Sequence, residues 1–270
     1  MAGFSTFRRS PAVAGFTVLT LVMTGATSLI REQRDTATAN GELPGSASSP
    51  ASATQSTQDL VALGKSIFHD TPNEARLYVV ARLSCNSCHL NDGTTRYAAP
   101  MTGIAPLFPE FSQRAKRMIS LKDRIDECFI RSENGRPLPE NAKEMTALVA
   151  YIESLSGQND GRAEPSGRGL VKLPALSGSP QRGKAIYAAQ CAACHGSEGN
   201  GVGSTFPPLW GPESFNDGAG MYGIENMAAF VLKNMPPKSP GSLTPQQAFD
   251  VSSYIHTEPR PKYNPVFDKY

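Results

Sequence analysis

The feature that most constrains this chain is a five-residue pattern that occurs twice. Cys85-Asn86-Ser87-Cys88-His89 and Cys191-Ala192-Ala193-Cys194-His195 both read C-x-x-C-H. That spacing suits covalent attachment of c-type haem. Two thiols add to two vinyl groups on one porphyrin edge, and the next residue presents imidazole to the iron from the same side. Zinc and disulfides are the alternatives. Zinc sites bring two Cys pairs together over short loops, whereas these pairs begin 106 residues apart. Disulfide chemistry gives no reason for a His after each pair. The expectation is two covalently bound haem c groups, attached through Cys85, Cys88, Cys191 and Cys194, with His89 and His195 as iron ligands.

The flanks repeat as well. Gly64-Lys65-Ser66-Ile67-Phe68 precedes the first motif and Gly183-Lys184-Ala185-Ile186-Tyr187 the second. Each opens a helix, capped near Thr57 in one copy and at Ser179-Pro180 in the other. Pro106-Leu107-Phe108 follows the first motif and Pro208-Leu209-Trp210 the second. Asn141-x-x-Glu144 and Thr244-x-x-Gln247 both read as capping-box starts of a closing helix. Met145, Leu148, Val149, Ile152 and Leu155 give the first closing helix one apolar face, as Val251, Tyr254 and Ile255 do in the second. With 24 Gly and 22 Pro among 270 residues, long regular elements are disfavoured. The expected fold is all-α, two class I cytochrome c-like domains in tandem, at residues 57–157 and 179–257. They are joined by a Gly/Pro-rich linker at 158–178 and followed by a surface tail at 258–270 without helical pattern. The first copy carries about 13 extra residues between its Gly-Lys and its Cys pair, near His69–Arg82, to which the sequence assigns no purpose.

Residues 1–30 read as an export segment. Arg8 and Arg9 precede an uncharged run, Ser10–Ile30, long enough to cross a hydrocarbon core. Thr24-Gly25-Ala26 and Ala37-Thr38-Ala39 are candidate small-x-small cleavage sites. A cleaved signal is favoured over a retained anchor, and either places the functional part in the periplasm. Residues 31–56, rich in Ala, Ser and Thr, are expected to form a flexible tether. The net charge of +2, from 26 basic and 24 acidic residues, excludes the strong basic excess of a typical nucleic-acid binder.

The second axial ligands differ between the copies. Met235 lies 40 residues after His195, in Asn234-Met235-Pro236-Pro237, where prolines can fix a loop that aims the thioether at iron. Met221 and Met227 are its rivals. The matching place in the first copy holds Cys128, 39 residues after His89 and the fifth, unpaired cysteine of the chain. Its rivals are Met101, Met118, Met145, His69 and an inert buried thiol. A helix over Leu121–Ile130 would put Leu121, Ile125 and Cys128 on one face. A thiolate ligand stabilises ferric iron and lowers the potential, and off the iron it is a nucleophile. Between Glu110 and Arg136 there are seven basic and five acidic residues, so much of that stretch is a solvated face. A narrower group, with Arg131-Ser132 and Arg136 best placed, is expected to form an oxyanion site over the haem.

The segment Cys128-Phe129-x-Arg131-Ser132-x-Asn134-Gly135, with the basic Arg136 and Pro137-Leu138 after it, closely resembles the active-site segment of the dihaem thiosulfate dehydrogenases. The resemblance spans nearly the whole chain after the tether. It implies a catalytic His/Cys haem, ligated by His89 and Cys128, and a relay haem ligated by His195 and Met235. Arg114 falls where the family carries a substrate-binding Arg, so the implied catalytic set is Cys128, Arg114, Arg131, Ser132 and Arg136. The implied reaction couples two thiosulfates into tetrathionate and gives two electrons to an acceptor such as another cytochrome c, with Cys128 able to leave iron and carry sulfur in transit. Some relatives have Lys directly before the second methionine ligand. Here that residue is Asn234 and Lys233 is one position off, a departure that leaves ligand exchange open. A non-catalytic dihaem electron carrier is one rival reading, and a sulfur-oxidising cytochrome that needs a substrate-carrying partner is the other. His69 and His256 read as surface or packing residues, and Trp210 as packing beside the second haem.

Overall fold

The computed structural model describes residues 50–156, 167–203 and 205–269. The expected export segment, most of the tether and part of the linker fall outside the described residues. The elements are α1 (Pro50–His69), α2 (Thr71–Glu74), α3 (Leu90–Gly93), strands β1 (Glu110–Ser112) and β2 (Arg117–Ile119), α4 (Leu121–Glu127), α5 (Lys143–Ser156), α6 (Pro180–Gln190), α7 (Ala192–His195), α8 (Ile224–Asn234) and α9 (Pro245–Thr257).

The repeat seen in the sequence is a repeat in space. In the first copy α1 packs on α5, and in the second α6 packs on α9. Both crossings occur at the Gly-Lys pair. A Cβ added at Gly64 would lie 2.6 Å from the Ala147 carbonyl carbon and 2.7 Å from Tyr151 Cβ. One added at Gly183 would lie 2.6 Å from the Asp250 carbonyl carbon and 2.8 Å from Tyr254 Cβ. Only glycine lets the backbones approach so closely. Two apolar clusters result. One holds Ile67, Phe68, Ile125, Phe129, Leu148 and Ile152. The other holds Tyr187, Trp210, Phe215, Val231, Phe249 and Ile255. The described residues nevertheless form one compact unit.

The boundaries follow local chemistry. Thr244 and Gln247 form the expected capping box, and Ser179 caps α6 ahead of Pro180. Asn141 does not start α5. The Ala142 carbonyl takes the first helical bond, from Thr146 N–H, and the helix begins at Lys143. The first helix starts at Pro50 rather than near Thr57. Helix α8 stops at Asn234 and leaves Met235 extended (φ −122°, ψ 145°), as a residue before proline must be. Departing from all-α structure among the described residues are a two-stranded antiparallel ribbon, in which Phe111 faces Met118 across the register, and an isolated antiparallel bridge between Val202 and Phe206.

The extra residues of the first copy, the linker and the tail tie the two halves together. In the extra residues of the first copy, Ala81 and Leu83 join the second domain's cluster. There Arg82 pairs with Glu213 (2.6 Å) and donates to the carbonyls of Asn200 and Gly203. The linker lies on the first domain, where Gly167 and Gly169 carbonyls accept from Tyr97 and Ala99 N–H. It then enters the second through Leu173 and Leu176. The tail forms a short 3-10 turn at Pro265–Phe267 and returns toward the first domain, where Arg117 donates to the Lys269 carbonyl.

Candidate functional site

Each C-x-x-C-H places its imidazole in the same way. His89 Nδ1 lies 2.6 Å from the Ala99 carbonyl, and His195 Nδ1 lies 2.9 Å from the Pro207 carbonyl. A carbonyl can only accept, so Nδ1 carries the proton and Nε2 keeps its lone pair for a metal. Burial lowers both imidazoles' pKa, that of His89 to about 4, and so keeps the ligating form. None of the five cysteines is paired in a disulfide.

In the first domain Cys85, Cys88, His89 and Cys128 line one cavity of about 350 Å³, walled by Phe68, Leu121, Ile125, Phe129, Leu148 and Ile152. An apolar slot with two thiols, an imidazole and a third sulfur has the donor set for a thioether-linked haem with two axial ligands. Among the described residues no cluster of three or more His, Cys, Asp or Glu suits a bare metal ion. Of the rivals to Cys128, Met101 lines the same cavity. Met118 is exposed and Met145 is buried in the core. His69 pairs with Asp92 at the surface.

Cys128 opens a π-helical turn, Cys128–Ser132, that follows α4 directly, with Glu133 N–H bonded to the Cys128 carbonyl. The expected single helix to Ile130 is thus α-helical only to Glu127. A π-turn shifts the register of the residues after it, and such turns recur at functional sites. Here it brings Ser132 and Glu133 into the large cavity and Arg131 and Ser132 into the smaller one beside it.

That second cavity, about 220 Å³, shares Cys88, His89, Ala99, Arg124, Cys128 and Ser132 with the first and adds Arg114, Glu127 and Arg131. Arg124 donates to Glu127 Oε2 (3.2 Å) and to Cys128 Sγ (3.6 Å). The Cys128 sulfur, more than any other group, raises the pKa of Arg124. Burial pushes the Cys128 thiol up while Arg124 draws it down. Arg114 is lowered first by burial and then by repulsion from Arg131. Glu133 is fully buried, its Oε2 has no partner, and burial raises its carboxyl far above the usual range. The second domain and linker complete the wall through Leu170, Gly220, Met221 and Asn226.

The structure thus gathers Cys128, Arg114, Arg131 and Ser132. Arg136 goes elsewhere. Its Nε donates to the Leu77 carbonyl and its guanidinium sits 5.3 Å from the Tyr78 ring centroid, because the chain turns at Asn134 (φ 47°) and Gly135. Arg124, Glu127 and Glu133 are the site members not singled out from sequence. Of the residues expected at the second haem, Cys191 and Met235 pack, partly buried, against the other apolar core, as does the rival Met221. Met227 is a core residue. Asn234 is buried and donates to the Tyr97 and Phe230 carbonyls, and Lys233 Nζ sits 5.4 Å over the Tyr97 ring. Both residues are engaged with the first domain. Trp210 packs on Tyr187, and His256 stacks on Tyr222.

Residues 78–159 match the family described as SoxA/TsdA, cytochrome c domain, and residues 178–255 match cytochrome C oxidase, cbb3-type, subunit III. A thiosulfate dehydrogenase of Stutzerimonas stutzeri is 38% identical over 210 residues, covering 76% of this chain and 68% of that protein. The chain belongs to the thiosulfate dehydrogenase family. A solved thiosulfate dehydrogenase (TsdBA) from Marichromatium purpuratum superposes with a TM-score of 0.74 at 37% identity, over 79% of this chain. This chain spans 48% of that longer one. A second Stutzerimonas stutzeri protein, named thiosulfate dehydrogenase electron acceptor, is 28% identical over 140 residues, or 48% of this chain and 58% of that protein. Two cytochrome c domains in tandem carry two covalently bound haem c groups.

Proposed function

We propose that this chain is a thiosulfate dehydrogenase in which the cavity shared by Arg114, Arg124, Arg131, Ser132 and Cys128 is the substrate site. Two thiosulfate dianions each lose one electron and join through a new S–S bond, giving tetrathionate. Haem c, held by Cys85, Cys88, His89 and Cys128 in one domain and by Cys191, Cys194, His195 and Met235 in the other, supplies a one-electron acceptor in each. Three guanidiniums beside one paired carboxylate form a dianion site. Planar donor forks and the Ser132 hydroxyl orient the sulfonate oxygens. The sulfane sulfur is then left toward Cys128 Sγ, which Arg124 already contacts. The same groups serve tetrathionate reduction. The N-terminal uncharged run after Arg8-Arg9 supports export to the periplasm, and a further cytochrome c is the natural acceptor for single electrons.

The observation that carries this reading is the contact between Cys128 and Arg124 within a cavity rich in arginine. A non-catalytic carrier has no use for such a site. The test is thiosulfate-dependent haem reduction with tetrathionate as product, in wild type and Cys128→Ala. Activity lost in the variant with both haems attached supports the reading. A wild type that neither oxidises thiosulfate nor reduces tetrathionate refutes it, and activity that survives the substitution removes Cys128 from the mechanism.

A further inference from the structure

Arg131 is held in an unusual way for a buried cation. It is 8% exposed, makes no salt bridge with a described residue, and its Nε has no hydrogen-bond partner. Against it lies the ring of Tyr263, 4.0 Å from the guanidinium carbon. Tyr263 comes from the C-terminal tail, 132 residues further along the chain.

The backbone that carries this ring is anchored independently of the arginine. Tyr263 N–H donates to Asp217 Oδ1 (2.7 Å), Asp217 N–H donates to the Pro261 carbonyl, and Lys262 pairs with Asp217 at 3.0 Å. Gly218 closes the third side. A Cβ there would come within 2.8 Å of Tyr263 Cγ and 2.9 Å of Arg131 Nη1. The arginine's own backbone is anchored to the same loop, since its carbonyl accepts from Asn216 N–H. Second-domain loop and tail thus grip this one side chain from the first domain.

We propose that Tyr263 is a positioning residue for substrate binding, holding the Arg131 guanidinium at the cavity wall without neutralising it. The proposal rests on the reading of that cavity as the thiosulfate site. A carboxylate would fix the guanidinium equally well but would cancel its charge and compete with the substrate. An aromatic face attracts the cation through its quadrupole and leaves the whole positive charge to an incoming dianion. With the ring gone, the side chain regains rotamer freedom that each binding event must remove.

The test uses the holoenzyme in five forms: wild type, Tyr263→Ala, Tyr263→Leu, Tyr263→Phe and Arg131→Ala. Thiosulfate oxidation with ferricyanide as acceptor gives KM and kcat. Calorimetry of thiosulfate binding to the electrochemically reduced protein gives affinity without turnover. Tyr263→Ala and Tyr263→Leu are expected to raise KM and Kd about 5- to 10-fold with kcat changed less than about 2-fold. Tyr263→Phe, which keeps the ring, should stay within about 2-fold of wild type. If the alanine variant fails to fold, the contrast between Leu and Phe decides, because both fill the space and only one has a π face. Wild-type KM in Tyr263→Leu, alongside a raised KM in Arg131→Ala, overturns the role of the tail and leaves the site reading intact. Wild-type KM in Arg131→Ala overturns the use of Arg131 itself.

Discussion

Replacing Gly64 by Ala tests the packing that both halves of the molecule share. In an exposed helix the change stabilises by about 1 kcal/mol. Here the new methyl would lie 2.6 Å from the Ala147 carbonyl carbon and 2.7 Å from Tyr151 Cβ, and closer still to the Ala147 carbonyl oxygen. Ordinary carbon contacts begin near about 3.5 Å, so α1 and α5 must part by about 1 Å. Overpacking of that size costs up to about 3 kcal/mol. After the helix gain, a net loss of about 2 kcal/mol remains. For a cooperative unit of this size that is a fall of about 4–8 °C in Tm. Gly183→Ala meets the same obstacle at Asp250 and Tyr254 and should behave alike. The assay is thermal unfolding of the holoprotein followed by far-UV circular dichroism. Wild-type or higher Tm in both variants would refute the claim that the Gly-Lys repeat exists to let helices cross.

Other outcomes concern the site and its supports. Arg124→Ala should raise KM for thiosulfate about 10-fold or more, and Arg124→Lys should recover only part of that, because a point charge lacks the planar fork; steady-state kinetics decide. KM should also rise with added potassium chloride, since screening weakens a partly open cation site. Arg82→Ala removes the Glu213 pair and two carbonyl bonds between the halves and should cost about 1–2 kcal/mol in denaturant unfolding. Burial raises the carboxyl of Asp250, but bonds from Arg182, Ser179 N–H and Gln246 outweigh it and hold the pKa below the ordinary carboxylate value. Its stabilisation is therefore full above about pH 4 and lost as pH falls through the lower folded value. Asp250→Asn should lower Tm at pH 7 and narrow its difference from wild type at about pH 2–3, read by calorimetry.

Much of this architecture was legible because its chemistry fixes spacing. Haem attachment dictates C-x-x-C-H, and a buried helix face dictates the periodicity of Met145, Leu148 and Ile152. A thiol at nearly the offset from its C-x-x-C-H that Met235 has in the other copy marked Cys128. The parts that escaped depend on contacts between residues distant in sequence. Seven basic residues lie between Glu110 and Arg136, and no local rule separates Arg124, which meets Cys128, from Arg136, which the turn at Asn134-Gly135 sends to Tyr78. The extra residues near Arg82 had no sequence role, the linker at 167–170 read as a connection and the tail at Tyr263 as surface, because their partners belong to the other half of the chain. The π-turn was invisible for a related reason: nothing in Cys128-Phe129-Ile130-Arg131-Ser132 disfavours an ordinary α-turn.

The charge arrangement carries one last consequence. Arg114, Arg124 and Arg131 repel one another in a half-buried cavity, and the lowered pKa of Arg114 records burial first and that repulsion second. Glu127 relieves Arg124 and the Tyr263 ring steadies Arg131, but neither removes the excess positive charge. A dianion supplies the charge that the fold withholds, so affinity should depend on charge more closely than on shape. The reaction then changes that balance. Two thiosulfates bring four negative charges, and after two electrons leave, tetrathionate keeps two, spread over a longer molecule. On the proposed assignment of this cavity as the substrate site, the product is held less tightly per atom than the substrates, and loss of charge by oxidation is itself a force for release.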